Sequence, residues 1–238
     1  MLYRLGRETH DEQVLVDSYW NRLCAERLVR DDLVRHLSTA YGFEAPLEAA
    51  LSFTGELGTK LDLRRRARAG LIAHDLLTLG VTPSALAAIA QCPIVPFGGH
   101  VEALGWLYVA ERAVFHHDLL RRQALRALPD THLVSCLPEI DAAMQWNTFA
   151  CVVDSIDESE VPELVGAARD AFRCQEVWMQ ELAANRGVEA PWTTGYDDAA
   201  QRTLELCCRH REHYTCMKAK GHTGPHECLA VSGWARWD

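Results

Sequence analysis

The densest chemistry in the chain lies near its C-terminus. Cys207, Cys208, Cys216 and Cys228 fall within 22 residues of one another, interleaved with His210, His213, His222 and His226. The subset Cys216-x5-His222-x3-His226-x-Cys228 brackets a Gly224-Pro225 turn that can fold two imidazoles back beside two thiolates. Four nitrogen and sulfur donors make a closed tetrahedral zinc site. Cys208, Cys216, His222, His226 and Cys228 are therefore the candidate zinc ligands, with Cys207, His210 and His213 as rival donors. Adventitious metal binding and a redox cysteine site stay open as alternatives. Elsewhere, Phe115-His116-His117 puts two imidazoles side by side, and His10 stands three residues before Gln13. Neighbouring helical positions point about 100° apart, so His116 and His117 cannot both address one metal from an unbroken helix.

These residues need elements to hold them, and the body of the chain reads as helices joined by short punctuated loops. Strict apolar/polar alternation is hard to find there, so the fold class is all-α. The spacing places helices near 3–30, 32–53, 63–79, 101–128, 138–155 and 160–185. A short one opens at Thr82-Pro83-Ser84, where threonine caps and proline takes the first turn. The stretch Cys92-Pro93-Ile94-Val95-Pro96-Phe97-Gly98-Gly99 cannot be helical, having two prolines and two glycines. Around 188–196 the helical pattern dies, which divides the chain into a helical domain, 1–187, and a Cys/His-rich tail, 188–238.

The 238 residues carry 48% apolar and 24% charged side chains, which suits one globular body with a small appendage. Thirty-three acidic against twenty-four basic residues leave a formal charge of -9, which disfavours nucleic acid as a partner. No apolar run approaches the roughly 20 residues of a membrane span, and Met1 to Glu8 lacks the apolar core of an export signal; the expectation is a cytoplasmic protein with no membrane partner. Five cysteines scattered through the body, Cys24, Cys92, Cys136, Cys151 and Cys174, read as buried reduced thiols. Arg64-Arg65-Arg66-Ala67-Arg68 reads as a solvated helix face. Asp75 and Glu111, inside apolar helical stretches, read as internal hydrogen-bonded or ion-paired groups.

Several pieces in order carry a family resemblance. A basic stretch leads into Asp75-Leu76 and Leu79-Gly80, a "CP--P" loop follows at Cys92 to Pro96, and then comes Leu104-Gly105-Trp106-Leu107-Tyr108-Val109-Ala110-Glu111. With Leu5-Gly6-Arg7-Glu8-Thr9, Val16-Asp17 and Phe172 to Trp178, this resembles the bacterial, biliverdin-producing heme oxygenases over roughly residues 1–184. The resemblance implies a heme-oxygenase-like multi-helical bundle that grips heme between its first helix and a distal helix bent at glycines. It implies oxygen-dependent opening of heme to biliverdin, CO and iron, with electrons from a reductase or ferredoxin partner. Two positions depart from the family pattern. Gln13 stands where the heme-ligating histidine should be, with His10 almost one turn away, and His116 and His117 stand where the distal glycine pair should be. The cofactor-site candidates are therefore His10, Gln13, Phe115, His116 and His117, with His116 and His117 also the candidate catalytic residues. One consequence is heme ligated from the distal helix. The other is a fold kept as a non-catalytic binding or regulatory module, its tail offering a partner surface. A non-heme di-iron site from Asp32, His36, His74, Glu111 and His116 is a third reading.

Overall fold

The computed structural model describes residues 1–23, 28–136 and 139–184 and, in the tail, the backbone of four short strands. The body is helical: α1 (Leu2–Glu8), α2 (His10–Leu23), α3 (Arg30–Ser52), α4 (Gly55–Lys60), α5 (Leu63–Arg66), α6 (Ala69–Thr78), α7 (Pro83–Ala87), α8 (His100–Ala127), α9 (Glu139–Val153) and α10 (Val161–Ala184). The tail holds two antiparallel pairs, β1 (His210–Arg211) with β2 (Tyr214–Thr215) and β3 (His226–Ala230) with β4 (Gly233–Trp237).

Two expected helices are divided. The first breaks at Thr9, which leaves helical dihedrals while its hydroxyl donates back to the Leu5 carbonyl at 2.7 Å. The break needs neither proline nor glycine, because a threonine that satisfies the backbone locally competes with the helix ladder. The helix expected over 63–79 becomes α5 and α6, with Ala67 and Arg68 between them. Here the Glu48 carboxylate reaches over from α3 and accepts from the Arg68 and Ala69 amides at 2.5 and 2.8 Å, capping the first turn of α6. The end of α6 is closed by Gly80 at φ +82, with its amide bonded to the Leu77 carbonyl and the Val81 amide to that of Leu76. This is a left-handed glycine cap of the kind that residue permits cheaply. At α7 the Thr82 hydroxyl accepts from the Ala85 amide at 3.2 Å, as the sequence leads one to expect.

The long helix α8 is the spine. α10 runs against it where Gly105 lets the backbones meet: a Cβ at 105 would stand 2.7 Å from the Leu164 carbonyl and 2.8 Å from the Ala168 amide nitrogen. α9 packs on another face of α8, α2 lies against α10 and α3, and α3 carries α6. The core is centred on Tyr108, Phe149, Phe172 and Trp146, whose rings lie about 6 Å apart, with Leu104, Leu120, Leu164 and Val153 around them. Asp75 is buried and accepts from the Val134 amide, the Ser135 amide and the Ser135 hydroxyl, tying α6 to the loop after α8.

The arginine run is not a solvated face throughout. Arg66 and Arg68 are buried, the first paired with Glu111 and the second with Glu44, while Arg64 and Arg65 stay exposed. Of the scattered cysteines, Cys92 and Cys136 are buried, with their sulfurs in the body, whereas Cys151 is exposed. Cys174 is half-buried with its sulfur 3.4 Å from that of Cys92. Cys24, the domain boundary near 187 and the tail residues Cys208, Cys216 and His222 lie outside the described residues; His226 and Cys228 are placed only as backbone positions on β3. Among the described residues no helix is long and apolar enough to cross a membrane.

Candidate functional site

Between α2 and α8 the two departures from the family pattern come face to face. Gln13 is buried on α2, its amide donating to the Thr9 hydroxyl at 2.5 Å and to the Tyr108 hydroxyl on α8 at 3.0 Å. Tyr108 is itself fully enclosed, and burial raises the pKa of its hydroxyl. One turn further along α2, Asp17 takes a hydrogen bond at 2.8 Å from Arg112 on α8. Positions 13 and 17 share one stripe of α2, so a single helix face meets Tyr108, Arg112 and His116 in succession. His10 opens α2 on its exposed side and lines none of this.

The two adjacent histidines do different things, as their 100° offset requires. His117 receives a guanidinium N–H from Arg68, whose Nη1 lies 2.9 Å from its Nδ1 and closer still to Nε2. Arg68 at the same time pairs with Glu44, so the His117 ring is spent within a buried chain of polar groups. His116 is buried, with no side-chain partner for either ring nitrogen and only the Ala113 carbonyl, three residues back on α8, acting on the ring from the backbone. Its Nε2 is 3.9 Å from Asp17, beyond hydrogen-bond reach, and its ring lies flat on Trp20 of α2, centroids 4.9 Å apart and planes 11° off parallel. Desolvation pushes its pKa down to about 4, so the imidazole is neutral with a lone pair available. The same effect lowers His117 well below its ordinary value and holds His36 near 3. The side chain of Phe115 lies outside the described residues.

His36, on α3, completes the cluster. It meets the Trp20 edge at 4.6 Å and leaves its Nδ1 without a partner. Trp20 is thus enclosed by three neutral imidazoles, a residue that sequence spacing did not single out and whose position on the stripe of Gln13 was the available signal. The space left is small: a cavity of about 30 Å³, lined by Trp20, His36, Glu44, Arg68, His117 and Cys136 among others. That holds about two waters.

Two groups fit this site differently. For a metal ion, the described residues contain no cluster of three or more histidine, cysteine or acidic side chains placed to hold one. Asp32 is paired with Arg35, His74 is exposed and Glu111 is paired with Arg66, so the di-iron reading finds no convergent ligands among them. For an iron macrocycle the donor chemistry is present, in the neutral imidazole of His116, which has no side-chain partner and is aimed at the α2 stripe. The volume is not: ligand pockets run to about 300–1,000 Å³, so the Trp20 stack and the Asp17–Arg112 pair must part to admit a macrocycle.

Comparison with known proteins bears on the frame that carries this site. No family model matches the chain. It is 29% identical over 153 residues to heme oxygenase PigA of Pseudomonas aeruginosa, a match covering 60% of this chain and 73% of that protein. In structure it is similar to the NO- and CO-bound heme oxygenase from Neisseria meningitidis, with a TM-score of 0.61 at 19% identity over 76% of this chain and 91% of the other. The helical body of this protein has the bacterial heme-oxygenase-like fold.

Proposed function

We propose that the protein binds heme or a related tetrapyrrole between α2 and α8, where His116 on α8, rather than a residue on α2, would hold the iron. The observation that carries this is the neutral His116 ring, buried on a heme-oxygenase-like frame with no side-chain partner for either nitrogen. A buried polar group without a partner costs about 1–3 kcal/mol, a cost that ligation would remove. Gln13 is a poor iron ligand and already donates to Thr9 and Tyr108. The Trp20 ring leaves its stack on His116, and the Asp17–Arg112 pair opens at the mouth. When bound, heme supplies the redox-active iron and the macrocycle that is oxidised. Imidazole on the distal helix occupies the side that family members keep open with glycine, so opening of the ring to biliverdin, CO and iron, with electrons from a reductase or ferredoxin, is slow or absent.

Hemin titrated into the full chain, purified without a histidine tag, tests this. A saturable Soret band near one equivalent is expected, weakened at least tenfold in affinity by His116→Ala and little by His10→Ala. No saturable band in the native protein defeats the reading. The tight Trp20 packing favours a second one, a heme-free binding or regulatory module with zinc in the Cys/His tail. Metal analysis of the same sample would then give about one zinc per chain and no hemin uptake.

A further inference from the structure

On the side of α8 turned away from Gln13 lies a much larger space. Between α3, α5 and α8 is a cavity of about 370 Å³ with an apolar floor of Leu47, Leu51, Leu63, Leu107, Ala110 and Val114. This is within the range of small-ligand pockets. One wall is charged: Arg64, Arg66 and Arg68 face Glu44, Glu48 and Glu111. The count is even, yet the charges do not cancel in place. Glu111 answers Arg66 and Glu44 answers Arg68. Glu48 is occupied with the Arg68 and Ala69 amides at the start of α6. Arg64, exposed at the rim, has no carboxylate within ion-pair distance among the described residues. The Arg66 side chain is 7% exposed; its Nη2 donates to the Gln145 carbonyl at 3.0 Å, while its Nη1 touches Glu111 without hydrogen-bond geometry, which leaves an Nη1 N–H unspent.

We infer that this cavity is a binding site for a small apolar monocarboxylate, its chain on the leucine floor and its carboxylate held by Arg64 and the free N–H of Arg66. A guanidinium offers the planar donor fork that a carboxylate matches. The apolar lining rejects small hydrophilic anions, and with Glu48 held on backbone amides, Arg64 alone among the described lining cations lacks a carboxylate partner, which favours one carboxylate over two. Arg64 and Arg66 line this cavity and not the α2–α8 gap, with Glu44 and Arg68 forming the wall between the two.

Decanoate is the probe, with decanol as its uncharged counterpart, measured by calorimetry on the hemin-free full chain at pH 7.5 and below micelle formation. Saturable binding near one equivalent is expected, about tenfold or more tighter than decanol. Arg64→Gln should lower decanoate affinity about tenfold and leave decanol unchanged, with Arg64→Lys between. Arg64 is exposed, so the substitution leaves folding intact, which a circular-dichroism melt verifies. Equal affinity for acid and alcohol, native-like decanoate binding in Arg64→Gln, or no saturable heat would each overturn the assignment.

Discussion

Three neutral histidines around one indole make the interior sensitive to acid. In an unfolded chain histidine takes up a proton near 6.5, whereas in the fold His36 does so near 3 and His116 near 4. Below about 6.5 the unfolded state therefore binds more protons, and stability falls by up to about 1.4 kcal/mol per pH unit for each such ring. Glu44 works in the opposite sense: ionised in the unfolded chain above about 4.5 but only near 7 in the fold, it favours folding as pH drops between those values. Arg112, Asp17 and Arg68 are the charged groups that face the rings. Histidines outnumber the single carboxyl, so the urea midpoint should drop steadily from pH 7 to pH 5, and more gently in His36→Phe. A flat midpoint would mean the rings are not neutral. Under the proposal that His116 is the donor, Gln13 supports the gap: Gln13→Leu leaves the Tyr108 hydroxyl short of a donor and should cost roughly 1–3 kcal/mol in chemical denaturation. It should not change the hemin spectrum.

At the level of elements, the close approach of α8 and α10 depends on one missing methyl. A Cβ at Gly105 would lie 2.6 Å from that of Ala167 and within 2.8 Å of two backbone atoms of α10. Backbone cannot rotate aside as a long side chain can. Gly105→Ala should therefore cost about 1–3 kcal/mol through overpacking, seen as a lower denaturation midpoint with unchanged helicity in the cold. What was legible in the sequence follows from range. α8, α9 and α10 have local periodicity and local stops, and α7 has its threonine cap and first-turn proline, so they emerge from the letters within a few residues. The breaks at Thr9 and at Ala67-Arg68 do not, because the first rests on a side chain bonding backwards and the second on Glu48 reaching from another helix. Burial of Arg66 and Arg68 was missed for the same reason: Glu111 and Glu44 lie far off in the chain, and a run of like charge seen alone looks solvated.

For the whole molecule, the frame and the site tell separable stories. The order of motifs from Leu5 to Trp178 pointed to a heme-oxygenase-like body, and the helical bundle built on α8 agrees with it. The substitutions at 13, 116 and 117 were visible as departures, but their outcome depended on tertiary neighbours. Arg68 takes up His117, Tyr108 takes up Gln13, and Trp20 covers His116 without a hydrogen bond to either of its nitrogens. Trp20 holds no place in a motif that would have flagged it, while Tyr108 within the family motif and His36 among the di-iron candidates were visible without the roles they take beside Gln13 and Trp20. The result is a heme-oxygenase-like bundle whose α2–α8 gap is filled by the Trp20 indole, with the His116 imidazole on α8 lacking a side-chain partner among the described residues.

The most direct trial of that arrangement is a crystal structure of the hemin-loaded full chain. The account predicts iron at coordination distance from His116 Nε2, the Trp20 ring displaced from its stack, and Gln13 still bonded to Tyr108. Iron held by Gln13 or His10, or hemin lying outside the gap with Trp20 in place, would contradict it.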